Sequence, residues 1–170
     1  MRNLQALFSE LQRRADELGV SFKPPLSDEA LRNWSAHARG VLKFELPGSY
    51  VELLALSNGL ETQRGWLYDA ESFLQQNYVC WFCDTVAGSG PNGFQIEYVP
   101  LNEPRKPDYA WLGVYGNMDQ YIFDFASREY RSTGLGSPDY IWFSSPTLEE
   151  LLLYMVRSEA EQGVADPGGA

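Results

Sequence analysis

Histidine and cysteine are scarce in this 170-residue chain, and positive charge is in short supply. A single histidine, His37, and two cysteines, Cys80 and Cys83, are too few for a structural zinc site, which takes four ligands of those types. The two cysteines form a Cys-x-x-Cys, but a redox pair works from a helix N-terminus, where the dipole lowers a thiol pKa. Here the surrounding run is aromatic and β-branched, which predicts a strand whose positions i and i+3 face opposite sides. Both thiols are therefore read as buried and reduced, and no metal or cofactor is expected. Long apolar runs are also missing, so no segment reads as a membrane span. Ser9, Glu10 and Gln12 interrupt the apolar residues at the N-terminus, so no secretory signal is expected and the expected compartment is the cytoplasm. On that reading the Asn33-Trp34-Ser35 sequon carries no glycan. Repeats, low-complexity tracts and long linkers are absent. One domain is expected over residues 1–162, followed by a disordered tail over 163–170.

The shortage of positive charge is local. Thirteen basic against 23 acidic residues leave a net charge of −10. Residues 1–60 balance, with seven of each sign. From 61 to 170 there are only Arg64, Arg105, Lys106, Arg128, Arg131 and Arg157 against sixteen acids. A field of that sign repels nucleic acid and anionic lipid and steers a basic protein toward the surface. The simpler reading is solubility alone.

What the chain has in plenty is aromatic residues: nine Phe, ten Tyr and five Trp. Their placement divides the chain. The first part reads as helices. Leu4, Leu7, Phe8, Leu11, Ala15 and Leu18 make one stripe that Gly19 stops. Ser27 is placed to cap a second helix, with Leu26 stapling onto Leu31, an apolar face of Leu31, Trp34 and Ala38, and Gly40 as its end. A third helix opens at Pro47, presents Tyr50, Leu53, Leu54 and Ser57 on one face, and closes at Asn58-Gly59. Beyond Gly65 aromatic and β-branched runs alternate with turns. They predict strands over Gly65–Tyr68, Asn77–Asp84, Phe94–Val99, Ala110–Tyr115, Gln120–Phe125, Glu129–Ser132 and Tyr140–Phe143. Gly116-Asn117-Met118-Asp119 reads as a hairpin loop. Thr147 and Glu150 form a capping box for a last helix that buries Leu148, Leu151, Leu152, Met155 and Val156. The order predicts an α+β fold. N-terminal helices and a C-terminal helix pack on a mostly antiparallel, twisted sheet of about six strands.

The segment Leu46-Pro47-Gly48-Ser49-Tyr50, with Asn58-Gly59 at its close, resembles the signature of the SUKH superfamily. Gly40 ahead of it, the run Asp119-Gln120-Tyr121-Ile122-Phe123-Asp124 and the helix after Phe143 are similar to later parts of that pattern. Together they span roughly Ser27 to Val156, although Leu60-Glu61 replaces a second small residue and Asp69–Asn92 has no counterpart. The resemblance implies a bacterial immunity protein that binds and neutralises a cognate toxin, commonly a nuclease, by occluding its active site. A regulatory or scaffold module of the fungal cell-wall type is the alternative.

Enzyme chemistry finds little support in the residues. Gly88-Ser89-Gly90-Pro91-Asn92-Gly93 matches Gly-x-Gly-x-x-Gly, but a strand-like run follows it where a dinucleotide site needs a helix, so it reads as a turn. His37, near a helix end, has no nucleophile paired with it by motif. The carboxylate pairs Asp119 with Asp124 and Glu97 with Glu103 do not converge by sequence alone, which leaves an acidic hydrolase as a third reading. The expected partner is a toxin protein with a basic cleft, and neither nucleic acid nor membrane. The residues expected at that contact are Asp69, Glu71, Asp84, Glu97, Asp108, Asp119 and Tyr121. Trp66, Trp81 and Trp111 are possible anchors, each with core packing as the simpler role.

Overall fold

A computed structural model describes residues 3–116 and 118–157. The expected tail over 163–170 and Asn117 of the hairpin loop lie outside the described residues. The architecture is α+β; the described residues form six helices, a seven-stranded sheet and a separate two-stranded hairpin.

The N-terminal stripe folds as α1 (Leu4–Arg13) and α2 (Ala15–Leu18), interrupted at Arg14 where one continuous helix was expected. Gly19 stops the second with φ 63. Two residues of strand follow, β1 (Ser21–Phe22). Ser27 Oγ accepts from Ala30 N at 3.2 Å and starts α3 (Asp28–Leu42). This helix does not end at Gly40 as expected. It runs on for two more residues to Leu42, which is fully buried in the core, and Lys43 ends it in the left-handed region, φ 58. The helix α4 (Gly48–Leu56) begins after Pro47 and buries Tyr50, Leu53 and Leu54.

Two short strands, β2 (Leu60–Thr62) and β3 (Gly65–Leu67), pair antiparallel and continue the sheet from β1. The strand β3 matches the one expected from Gly65, whereas β1 and β2 were not expected, since two or three residues are too few for alternation to register; with them the main sheet reaches seven strands.

The largest departure comes next. Residues expected as a strand over Asn77–Asp84 are mostly helical: α5 spans Ala70–Phe82. Asp69 Oδ1 caps it by accepting from Ser72 N at 2.8 Å. Ala70, Phe73, Asn77 and Trp81 are its buried residues, at helical spacings of three and four. Cys80 thus sits in the last helical turn, half-buried, and Cys83 opens the next strand, buried. Both are free thiols.

That strand is β4 (Cys83–Gly90), which forms a hairpin with β5 (Gly93–Pro100). The Gly-rich run is its turn, as the sequence indicated. The chain then returns to the main sheet through β6 (Tyr109–Tyr115), β7 (Asp119–Asp124), β8 (Glu129–Gly134) and β9 (Ser137–Ser145). The order is β1-β2-β3-β6-β7-β8-β9, and every pairing is antiparallel. The last helix, α6 (Leu148–Val156), is capped by Thr147 Oγ1, which accepts from Glu150 N at 3.4 Å. The other half of the expected capping box runs through Ser145. Its Oγ accepts from Thr147 N at 3.2 Å and donates to the Glu150 carboxylate.

Cross-strand partners share a face of a sheet, so the registers sort the side chains into rows. One row reads Phe22, Leu60, Leu67, Gly113, Tyr121, Ser132, Phe143. It faces the helices. Leu60, Leu67 and Tyr121 join Leu7, Phe8, Tyr50, Leu53, Leu54, Leu151 and Leu152 in one core. The neighbouring row, Ser21, Glu61, Trp66, Val114, Gln120 and Thr133, faces the other way as far as the register irregularity at Thr133, and its members Val114, Gln120 and Thr133 are buried as well.

Candidate functional site

Three local features assemble a groove at the β1–β3 end of the sheet. The first is the corner that ends α4. Ser57 is fully buried. Its Oγ accepts from Lys23 N at 3.1 Å and donates at 2.9 Å to the Lys23 carbonyl or at 2.6 Å to that of Gly59. Asn58 Oδ1 accepts from Ala70 N at 2.9 Å, which pins the start of α5 to the end of α4. Gly59 has φ 91, and a Cβ there would meet Asp69 N at 2.9 Å, so only glycine lets the chain pass this close.

The second feature is the cap of α5. Asp69 is half-buried and pairs with Lys23, Nζ to Oδ2 at 2.6 Å. Burial alone pushes its carboxyl pKa up. The Lys23 ammonium and the hydrogen bonds from Ser72 outweigh that, and the result lies below the ordinary Asp value. The sign of the pH effect follows. A depressed folded-state pKa contributes stability above the unfolded carboxylate value, and that contribution decays as pH falls through the folded value. Asp69→Asn is therefore expected to lower the melting temperature at pH 7, with a gap to wild type that closes below about pH 4. A gap that stays constant across a pH series of thermal melts would contradict the role given to this pair.

The third feature is the register of β1, β2, β3 and β6. It sets Ser21, Glu61, Trp66 and Val114 side by side on the outward face. These residues, with Lys23, Leu60, Leu67, Tyr68, Asp69, Ser72 and Gln76, line a groove of about 560 Å³. Its lining mixes apolar side chains (Leu60, Trp66, Leu67, Val114) with polar and charged ones (Lys23, Glu61, Asp69, Ser72, Gln76). Trp66 stands in it 42 % exposed, with the exposed Glu61 as its direct cross-strand neighbour. An indole face beside a carboxylate is a receptor for a cation. The ring quadrupole attracts it, and the carboxylate pairs with it.

The residues expected at a partner contact fall in four places. Asp69 lines the groove, and Glu71 lies exposed in the first turn of α5 next to it. Asp84 and Glu97 are exposed on one face of the β4–β5 hairpin, Asp84 with Arg105 at 3.6 Å. Asp108 lies exposed on a second groove, of about 550 Å³, with Lys106, Tyr109, Asp124, Arg131 and Asp139. There Arg131 is already engaged by Asp124 at 3.2 Å and Glu129 at 3.0 Å. Asp119 borders a smaller recess with Arg64, Met118, Trp142 and Tyr154.

Tyr121 lines the same recess but offers almost no surface to a partner. It is 1 % exposed, belongs to the core row, and donates its hydroxyl hydrogen to the Arg64 carbonyl. Its burial pushes the hydroxyl pKa far up, so it stays protonated. The tryptophans also divide. Trp81 is buried against Tyr109, with ring centroids 4.9 Å apart. Trp111 is half-buried and donates to the Gly113 carbonyl at 2.9 Å. Trp66 alone of the three is open. His37 is exposed on α3. Among the described residues no group of three His, Cys, Asp or Glu side chains stands close enough to hold a metal ion.

Glu61, Lys23 and Gln76 were not expected here. Glu61 lies in a strand too short to show a period, and Gln76 was one residue from a predicted strand. No protein-family model, curated protein or solved structure matches this chain. No described helix is long and apolar enough to cross a membrane.

Proposed function

We propose that this chain is a protein-binding domain that captures a basic partner, and that the partner is a toxin with a basic, nucleic-acid-binding cleft which it neutralises by occlusion. The observation that carries the reading is Trp66 standing open beside Glu61 in the outward groove. An Arg or Lys of the partner inserts there, its charge over the indole and against the Glu61 carboxylate. The acidic excess from residue 61 onward supports the same reading, because it raises the encounter rate with a cationic surface. The resemblance of Leu46–Gly59 to the SUKH signature supplies the immunity role. The mechanism is steric and electrostatic: carboxylates stand in for phosphates, and no bond is made or broken.

The test is binding to the product of the adjacent gene, measured by calorimetry as salt is raised. Affinity is expected to fall steadily with salt, because exposed charges are screened over about 8 Å at physiological ionic strength. Trp66→Ala is expected to weaken binding by roughly thirty-fold or more, the loss of an interface anchor, and Glu61→Gln by several-fold. Glu61→Gln is not expected to move the melting temperature by more than about 2 °C, since its side chain is exposed. Unchanged affinity in Trp66→Ala would remove the groove from the interface. Failure to protect cells that express the neighbouring protein would remove the immunity role.

A further inference from the structure

We propose that the β4–β5 hairpin is a dimerisation arm that seats on the β9 edge of a second copy of this chain. The proposal does not depend on the toxin reading.

Every residue from Asp84 to Pro100 is exposed except Gly90. The arm's register sorts its side chains. Thr85 with Tyr98, Ala87 with Ile96 and Ser89 with Phe94 share one face, which carries no charge. Asp84 with Val99, Val86 with Glu97 and Gly88 with Gln95 share the other. On the uncharged face Phe94 is 72 % and Tyr98 55 % exposed, and Ile96 is exposed between them. A two-stranded hairpin is at best marginally stable alone and needs a third strand or a surface to cover one face. Only the root of the arm is tied to the body. Leu101 N donates to the Phe82 carbonyl at 2.8 Å, and Arg105 N to that of Trp81 at 2.9 Å. The Arg105 guanidinium donates to the carbonyls of Cys80 at 2.9 Å and Cys83 at 3.1 Å. The root is thus clamped at a fixed place while the apolar face stays open.

The main sheet offers one matching surface. Its β1 edge is only two residues long, which blunts it. Its β9 edge is nine residues long and ends the strand order. Tyr140, Ile141 and Trp142 lie exposed along it, with Tyr140 and Trp142 in edge-to-face contact at 4.7 Å. Eight-residue arm strands extend about 26 Å, nearly the length of β9.

A second copy is the occupant the observations favour. Both surfaces lie on the same chain and match in character: the arm's face carries no charge, and Tyr140, Ile141 and Trp142 carry none themselves, with Asp119 and its counter-charge Arg64 together in the recess beside Trp142. Reciprocal exchange, arm to edge and edge to arm, closes with two-fold symmetry. Phe94, Ile96 and Tyr98 on the arm and Tyr140 and Trp142, which share one face of β9, each expose roughly 120 Å² on average. Two reciprocal contacts then bury about 1,200 Å², the lower bound for a specific interface, where a single contact buries half of that.

The test is sedimentation equilibrium of the full chain, whose mass is 19.2 kDa. Wild type is expected to be dimeric at about 100 µM, and a monomer at that concentration overturns the proposal. Phe94→Ser/Ile96→Ser on the arm and Tyr140→Ser/Trp142→Ser on the edge are each expected to be monomeric with wild-type circular dichroism. Mixed together they keep one intact arm–edge pair, so a heterodimer at least tenfold weaker than the wild-type dimer is expected. An edge variant that stays fully dimeric means arm packs on arm, and overturns the assignment of β9. A mixture with no heterodimer overturns it as well. Should a variant fail to fold, hydrogen exchange on wild type decides: concentration-dependent protection of both 84–100 and 137–145 supports the arm–edge contact, and its absence from either segment refutes it.

Discussion

Gly113→Ala is expected to lower the melting temperature by about 10 °C or more. A Cβ at this position would lie 2.1 Å from the Trp66 carbonyl oxygen and 2.9 Å from the Leu67 Cα. Both obstacles are backbone, so no side-chain rotation relieves them. The strand β3 is held on its far side by β2, with Leu60 opposite Leu67 and Glu61 opposite Trp66. It retreats only by breaking its two pairs with β6, Trp66–Val114 and Leu67–Gly113. Those pairs join the β1–β3 half of the sheet to the rest. Overpacking of a well-packed core costs about 1–3 kcal/mol where side chains can adjust, and more where they cannot. Losing the junction as well takes the cost to about 4 kcal/mol or beyond, a large part of the roughly 5–15 kcal/mol that holds a domain of this size together. The control is Gly40→Ala. A Cβ there meets nothing within 4 Å, and the site lies inside α3, so a gain of about 0.5–1 kcal/mol is expected. Far-UV circular dichroism melts of the two variants check both signs. A Gly113→Ala protein melting within a few degrees of wild type would show that β3 and β6 do not approach this closely.

The second large effect is expected at Asn77. This side chain is fully buried in α5 and acts as a missing piece of strand. Its Oδ1 accepts from Trp111 N at 2.8 Å, and its Nδ2 donates to the Trp111 carbonyl at 2.9 Å and to that of Phe73 at 2.9 Å. On one side β6 is already paired with β7 through Ala110 and Trp111, with an irregularity between Trp111 and Gly113. On the other side β3 reaches only Gly113 and Val114. The Asn77 amide therefore satisfies both backbone groups of Trp111 where β3 has run out. Asn77→Leu keeps the branched shape of the side chain and removes that pairing. Each buried backbone group left without a partner costs about 1–3 kcal/mol, so a loss of roughly 4 kcal/mol is expected in urea denaturation. Asn77→Asp keeps the acceptor for Trp111 N but puts a carboxylate opposite a carbonyl. Its deficit is expected to be larger at pH 7 than at pH 4, where protonation restores a donor. A cost below about 1 kcal/mol for Asn77→Leu would mean that water replaces the amide at no penalty.

Asn77 also shows where reading the sequence breaks down. The run Asn77-Tyr78-Val79-Cys80-Trp81-Phe82 has strand composition, and composition predicted a strand. The competing signal was present: Asp69 with Ser72 at capping distance, and Ala70, Phe73, Asn77 and Trp81 at helical spacing. What hid it was a polar residue in the middle of the buried stripe. Asn77 reads as a break in an apolar face until Trp111, 34 positions away, is seen to need its amide. Tyr121 is the converse case. An aromatic in an acidic, turn-bounded strand looked like a contact residue, but pairing with Gly113 and Ser132 places it on the row that faces the helices. Alternation identifies two faces of a strand and does not say which is covered.

The chain by itself determined whatever depends on neighbours a few residues apart. Ser27 and Thr147 cap helices, Gly19 stops one, and Tyr50, Leu53 and Leu54 share a buried face. The alternating runs from residue 109 onward form a meander, and the order of these elements makes an α+β fold. Such signals are legible because a hydrogen bond to a backbone N–H three residues on, or a shared helix face, needs no distant partner. Tertiary structure decided everything that joins distant residues: the burial of Tyr121, the rescue of Trp111 by Asn77, and the open arm of β4 and β5. It also set Glu61 beside Trp66. Those two residues are five apart in the chain, and only the register of a three-residue strand makes them neighbours over a groove. Register is a pairing of strands, and no single strand contains it.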